Sequence, residues 1–291
     1  MDEQKRKVMY TVIIVICVIS ILVGLISEVG IGGGKIANNN RIETGNVIDT
    51  EQFDPNPDLF FDNMFSNNTK KDNINFDESK YKKMNSNEPL VWEFFSKDVS
   101  ENTYSIKVKV PCINLTANQE NGGNITSINN SIQKSFGDPI NYILGGGYSE
   151  NTIYNGDYAA FIYKDRLSIV LRSKLKVGNN TQDMMVKTYN INLSTLDNLN
   201  LEEELKARGY SVSDAEKKIK EYIRAKNKYA EDLKSSNLKP YERDEKNQIY
   251  KIENTTEFFI TEAGDLYIVY SYGNSTTEET TEKDVIKFEA K

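Results

Sequence analysis

The stretch TYSIKVKVPCINL, residues 103–115, decides how the folded part of this chain is interpreted. Its apolar side chains Tyr104, Ile106, Val108 and Val110 alternate with polar ones. Side chains on a strand point alternately to its two faces, so this spacing predicts a β-strand with one buried face. A helical pattern follows directly, which indicates a fold that mixes strands and helices.

The helical pattern is SINNSIQKSFGDPINYIL, residues 127–144. One side of this helix is expected to carry the apolar residues Ile128, Ile132, Phe136, Ile140 and Leu144. Pro139 lacks an amide hydrogen and its ring collides with the preceding turn, so we expect it to kink or divide the helix.

Further strands are predicted on both sides of a second helix. Residues 154–177 form two strands around a Lys-Asp-Arg turn, residues 183–193 form the next strand, residues 256–272 form a hairpin, and residues 284–290 form the last strand. Between them, a capping box of Ser213 with Glu216 predicts the start of a long helix that ends near Ser235. The fold class expected for residues 88–291 is α+β, with a mostly antiparallel sheet packed by helices.

The N-terminal part is of a different character. Residues 8–27 are uncharged and mostly Val, Ile and Leu, which is long enough for a helix to cross the hydrocarbon core of a bilayer. Lys5, Arg6 and Lys7 precede this segment, so residues 1–7 are expected in the cytoplasm and the remainder outside. Glu28 and Val29 interrupt any small-residue cleavage site, which favours an uncleaved signal-anchor over a cleaved signal peptide.

A lipoprotein leader is a further alternative for this segment. It would need a small residue directly before its cysteine, whereas Cys17 follows Ile16 in the middle of the span. The expected localisation is therefore the cell membrane, with a single transmembrane helix and an extracytoplasmic C-terminal domain.

Residues 28–87 are rich in Gly, Asn and turn-forming residues, and are predicted to be a polar flexible tether. One apolar cluster interrupts the tether at the spacing of a short helix. Three roles are open to it: docking on the folded domain, contact with the membrane interface, or binding of a partner. Docking is the favoured interpretation. The cluster consists of Leu59, Phe60, Phe61, Met64 and Phe65.

Composition excludes several chemistries. The chain has no histidine, which removes the usual Ser-His-Asp and Cys-His mechanisms and histidine-ligated zinc. Its two cysteines, Cys17 in the predicted span and Cys112 outside it, cannot pair. The net charge is −7 with Lys and Glu interspersed, which argues against nucleic-acid binding. Glu202, Glu203 and Glu204 are expected to be a solvated first turn of a helix, where negative charge is favourable.

Residues 189–223, YNINLSTLDNLNLEEELKARGYSVSDAEKKIKEYI, resemble a motif of the extracytoplasmic domain of the anti-sigma-V factor. The same domain type precedes a peptidoglycan deacetylase and occurs in many clostridial and bacillar membrane proteins of unknown function. The resemblance extends over about residues 100–290 and implies the fold and a location outside the cell. It implies no binding residues. The matching positions are Tyr189, Asn190, Leu193, Thr195, Leu199, Leu201 and Leu205.

These observations predict a noncatalytic, membrane-anchored binding or sensor protein of the bacterial cell envelope. Its partner would be a cell-wall component such as a peptidoglycan fragment, or a secreted or envelope protein. No catalytic, metal or cofactor-binding residue is predicted, and no cofactor. The alternative is a cell-wall-polymer enzyme that uses carboxylates only. An anti-sigma-like regulator is disfavoured because residues 1–7 are too few to hold a sigma factor.

Overall fold

The computed structural model describes residues 57–67, 82–115, 122–148, 151–180, 182–235, 243–272 and 282–289. The elements in chain order are α1 (Pro57–Asn67), β1 (Val91–Ser100), β2 (Tyr104–Ile113), α2 (Gly122–Ile132), a π-helical segment (Gln133–Gly137), α3 (Asp138–Leu144), β3 (Thr152–Tyr163), β4 (Arg166–Val177), β5 (Asp183–Asn192), α4 (Leu201–Ala207), α5 (Val212–Ser235), the 3₁₀ turns Gln248–Tyr250 and Ile252–Asn254, β6 (Glu257–Ile260), β7 (Leu266–Tyr272) and β8 (Glu282–Phe288).

The strands form two sheets. Sheet A has the order β1-β2-β3-β4-β5 and sheet B the order β6-β7-β8. Neighbouring strands are antiparallel except β2 and β3, which are parallel and joined through α2, the π-helical segment and α3. A parallel pair needs such a crossover because a short turn cannot return the chain to the same end of the sheet.

The two sheets and the helices stack in four layers, and three hydrophobic clusters fill the spaces between them. The first cluster lies between sheet A and the α2–α3 helices, and includes Ile106, Val108, Ile132, Phe136, Ile140, Tyr154 and Ile169. The second lies between sheet B and α4–α5, and includes Leu205, Ile219, Ile223, Ile268 and Phe288. The third lies between the sheets, and includes Phe61, Phe65, Phe161, Val170, Phe259 and Val285. Both sheets are therefore apolar on both faces over part of their area.

Polar side chains of sheet A bind the outer edge of β6. The Asn190 amide donates to the Phe258 carbonyl at 2.6 Å, while the amides of Phe258 and Ile260 donate to the hydroxyls of Thr188 and Ser168, each at 3.0 Å. An edge strand otherwise leaves its backbone groups unpaired. These contacts fix sheet B against sheet A.

The α+β class and the mostly antiparallel pairing are confirmed, as are the strands predicted at residues 103–115, 154–177, 183–193 and 256–272. The strand Val91–Ser100 was not predicted. A bulge between Glu93 and Phe95 breaks its alternation, so its sequence lacks the period of a regular strand.

Two details of the predicted helices are wrong. Leu144 is exposed, whereas Ile143 is buried. Ile143, three residues after Ile140, takes the buried position in the last turn of α3. The capping box of α5 is formed by Ser211 and Asp214, whose side chains bond each other's backbone amides at 3.1 and 3.3 Å, and not by Ser213 and Glu216.

The predicted docking of the apolar cluster is confirmed. Phe61 and Phe65 of α1 are buried in the third cluster, with Phe60 and Met64 packed against it, while Leu59 is exposed. The segment predicted as a tether therefore contains a helix that belongs to the folded unit.

The predicted cytoplasmic stub at 1–7 and the predicted span at 8–27 lie outside the described residues. Among the helices of the described ranges, none combines the length and the apolar character needed to cross a bilayer.

Candidate functional site: a concavity beside helix α1

An open concavity of about 180 Å³ lies on the face of sheet A next to α1. It is lined by Lys107, Asn155, Gly156, Asp157, Arg172 and Lys174. These residues come from three adjacent strands, β2, β3 and β4. The polar lining side chains alternate along their strands with residues of the first hydrophobic cluster, so they project from the opposite face of the sheet.

The concavity forms where the parallel ladder between β2 and β3 ends. That ladder runs from Tyr104 paired with Thr152 to Val108 paired with Gly156, and beyond it the two strands are no longer paired. A Cβ added to Gly156 would lie 3.1 Å from Val108 Cγ1. The glycine thus allows the two strands to approach closely at the last pair.

Helix α1 borders the concavity and is bound to two of its cations. Arg172 donates from Nη2 to Asp62 Oδ1 at 2.5 Å and from Nη1 to the carbonyl of Asp58 at 3.2 Å. Lys174 Nζ lies 2.8 Å from Asp58 Oδ1. The Arg172 guanidinium also lies over the Phe65 ring, 5.1 Å from its centroid, at the distance of a cation–π contact.

The lining carries three cations, Lys107, Arg172 and Lys174, and one carboxylate, Asp157. The side chains of Arg172 and Lys174 are only 12% and 17% exposed. Their charges are offset by Asp62 and Asp58, which belong to α1 and not to the sheet. Without α1 the surface is cationic, and guanidinium and ammonium groups in this setting bind carboxylate or phosphate oxygens.

Carboxylate catalysis and metal binding both depend on acidic or cysteine side chains that lie close together. The carboxylate-only glycosidase mechanism needs two acids flanking the substrate; Asp157 lines the concavity, and the acids at its border, Asp62 and Asp58, are bound to Arg172 and Lys174. In the described part of the chain, no three acidic or cysteine side chains come together as metal ligands would.

One of the three glutamates of α4 differs from the prediction of a solvated first turn. Glu202 and Glu203 are exposed, but Glu204 is buried, so the prediction of a solvated first turn is wrong for it. Glu204 accepts hydrogen bonds from Arg166 Nε at 2.9 Å and from Arg208 Nη1 at 2.8 Å. This carboxylate is neutralised by two arginines and has a structural role.

No residue that lines the concavity was predicted from the sequence to bind a ligand. Two signals were nevertheless present in the sequence. Asp58, Phe61, Asp62 and Phe65 follow the i, i+3, i+4, i+7 spacing of one helical face, which places acids beside the docking aromatics. Arg172 and Lys174 are two apart in a strand, so they share one face.

No family model matches this chain, and no curated protein matches it. Solved structures that resemble its fold include a DUF3298 family protein from Pseudomonas aeruginosa, with a TM-score of 0.40 and 8% identity over 70% of this chain and 91% of that chain. Another is a DUF3298 family member from Bacteroides fragilis, with a TM-score of 0.34 and 12% identity over 64% of this chain and 81% of that chain. DUF3298 is a domain of unknown function. At these values the likeness transfers no residue role to this chain.

Proposed function

We propose that this protein is a noncatalytic, extracytoplasmic binding or sensor protein of the cell envelope, held to the membrane by residues 8–27. The observation that carries the proposal is the concavity beside α1, where Arg172 and Lys174 are held nearly buried at a polar opening. Its ligand would be a cell-wall component or a secreted or envelope protein that presents carboxylate or phosphate groups.

The size and polarity of the concavity support this function. About 180 Å³ is below the range of a drug-sized cofactor pocket, so it suits one charged end group of a larger ligand. Asn155 adds an amide that can donate and accept hydrogen bonds. The resemblance to the extracytoplasmic domain of the anti-sigma-V factor supports a location outside the cell and is part of the proposal.

The test is a binding measurement on the full chain in detergent micelles. Purified peptidoglycan fragments are titrated directly, and envelope and secreted proteins are screened by pull-down. The informative variant is Lys107→Glu, because Lys107 lines the concavity and is 74% exposed. Its matched control is Lys217→Glu on α5, which is 76% exposed and far from the lining residues in sequence.

We expect Lys107→Glu to weaken binding about tenfold, since a hydrogen bond to a charged group contributes about 1.5 kcal/mol. Lys217→Glu should leave the affinity unchanged. Absence of binding to both ligand classes, or equal affinities of the two variants, would contradict the proposed function.

A further inference from the structure

Arg172 and Lys174 line the concavity and also bind α1 through Asp62 and Asp58. We propose that an oxyanion-bearing envelope polymer and helix α1 compete for these two cations, so that ligand binding releases α1 from the domain. This inference rests on the proposed function and names both the ligand chemistry and the regulation of that site.

The contacts make such a competition possible. Asp62 and Asp58 are 51% and 47% exposed, whereas their cationic partners are largely buried. Part of each carboxylate side chain is thus open to the solvent from which a ligand oxyanion would also arrive. A carboxylate or phosphate bound bidentately to Arg172 would take the donors that now serve Asp62 and the carbonyl of Asp58.

Loss of these ion pairs would weaken the attachment of α1 to sheet A. Phe61 and Phe65 pack between the sheets, and the Phe65 ring loses its cation–π partner if Arg172 turns toward a ligand. The helix has 11 residues, and isolated helices shorter than about 12–15 residues are marginal in water. Release should therefore also melt the helix, which gives a readout separate from binding.

Two kinds of envelope polymer present oxyanions of this type. Stem peptides of peptidoglycan present carboxylates, and phosphate-rich wall polymers present phosphodiesters. Both supply the planar or tetrahedral oxyanions that Arg and Lys bind. Separate titrations with a muropeptide that has free carboxylates and with polyglycerol phosphate distinguish the two sources.

The experiment uses the full chain in detergent micelles and measures two quantities. Calorimetry reports binding of each probe, and hydrogen–deuterium exchange reports the amides of residues 58–67. We expect the probe that binds to raise exchange in 58–67 while the amides of β3 and β4 keep their protection. Binding of either probe without any change in residues 58–67 would overturn the competition and leave the proposed function standing. Binding of an envelope protein but of neither polymer would overturn the assignment of the ligand as a polymer.

Two variants weaken the docking of α1 by different means. Asp58→Asn with Asp62→Asn removes two partly exposed ion pairs and should raise the affinity for the probe about fivefold. The control is Glu202→Gln with Glu203→Gln, which removes the same two negative charges at exposed positions. This control should leave the affinity for the probe unchanged. Phe65→Ser loosens α1 without a charge change and should also raise the affinity. If it does not, the effect of the Asp variants is only electrostatic and the competition is wrong.

Discussion

Arg208 donates to the carboxylate of Glu204 at 2.8 Å, one helical turn away, and these residues are 6% and 5% exposed. Arg208 also donates to the carbonyl of Gly264 at 3.0 Å, and Arg166, the first residue of β4, completes the pairing of Glu204. The buried Glu204–Arg208 pair thus connects α4 with the first residue of β4 and with the β6–β7 turn.

Glu204→Ala is expected to lower the free energy of unfolding by about 3 kcal/mol, because removing one partner of a buried pair leaves the other charge buried without compensation. Urea unfolding followed by circular dichroism measures this. Glu203→Ala is the matched control, since Glu203 lies on the same helix and is exposed, and its change should stay within about 0.5 kcal/mol. Equal unfolding midpoints for the two variants would show that the network contributes little.

The contrast among these glutamates shows what the sequence could and could not predict. Strands such as residues 103–115 were predictable because alternation is a local property of the chain. Glu202, Glu203 and Glu204 are chemically identical neighbours, and only the position of Arg166 and Arg208 in space separates the buried one from the others. Burial of a charge depends on its partners, and these are set by tertiary packing.

The candidate site was outside the reach of sequence reasoning for a related reason. Lys107, Asp157 and Arg172 come together only because β2 pairs with β3 in parallel and β3 with β4 in antiparallel. The parallel pairing depends on a crossover of nearly forty residues between β2 and β3, and nothing local in either strand specifies it. The docking of α1 was predictable because its apolar spacing is local.

Asn190→Ala should lower the free energy of unfolding by about 2 kcal/mol, because it leaves buried polar partners unsatisfied. The Asn190 side chain accepts from the Ser168 hydroxyl at 2.7 Å and donates to the Phe258 carbonyl at 2.6 Å. Urea unfolding measures the loss, and amide exchange of residues 257–260 locates it. Asn198→Ala, at an exposed position, is the control. Unchanged exchange in β6 would mean that this contact does not hold the two sheets together.

Phe61→Ala should loosen α1 selectively. Phe61 is fully buried between the sheets, and truncation of a buried Phe costs about 3 kcal/mol. Hydrogen–deuterium exchange of residues 58–67 is expected to rise about a hundredfold, which is the factor that this free energy corresponds to, while the β3 and β4 amides stay protected. Leu59→Ala is the control on the same helix because Leu59 is exposed. Equal exchange in both variants would contradict docking through Phe61.

The Cys112 thiol should react slowly in the native protein. Burial raises its pKa from 9.0 to about 11, although a contact with Trp92 lowers the pKa in part. Only the thiolate is nucleophilic, so in a Cys17→Ser background we expect iodoacetamide at pH 8 to alkylate the folded chain about a hundredfold more slowly than the urea-unfolded chain. The rate should keep rising with pH until about 11.

The same raised pKa has a consequence for stability. Between pH 9 and about 11 the folded chain keeps the Cys112 proton while the unfolded chain releases it, so this contribution to stability is present below pH 9 and is lost as the pH rises through that window. Urea unfolding of the parent chain and of Cys112→Val, each at pH 8 and at pH 10, isolates this contribution. Between pH 8 and pH 10 the free energy of unfolding should fall more for the parent chain than for the variant. An equal loss in both chains, together with fast alkylation at pH 8, would show that the thiol is solvated and that β2 does not bury it.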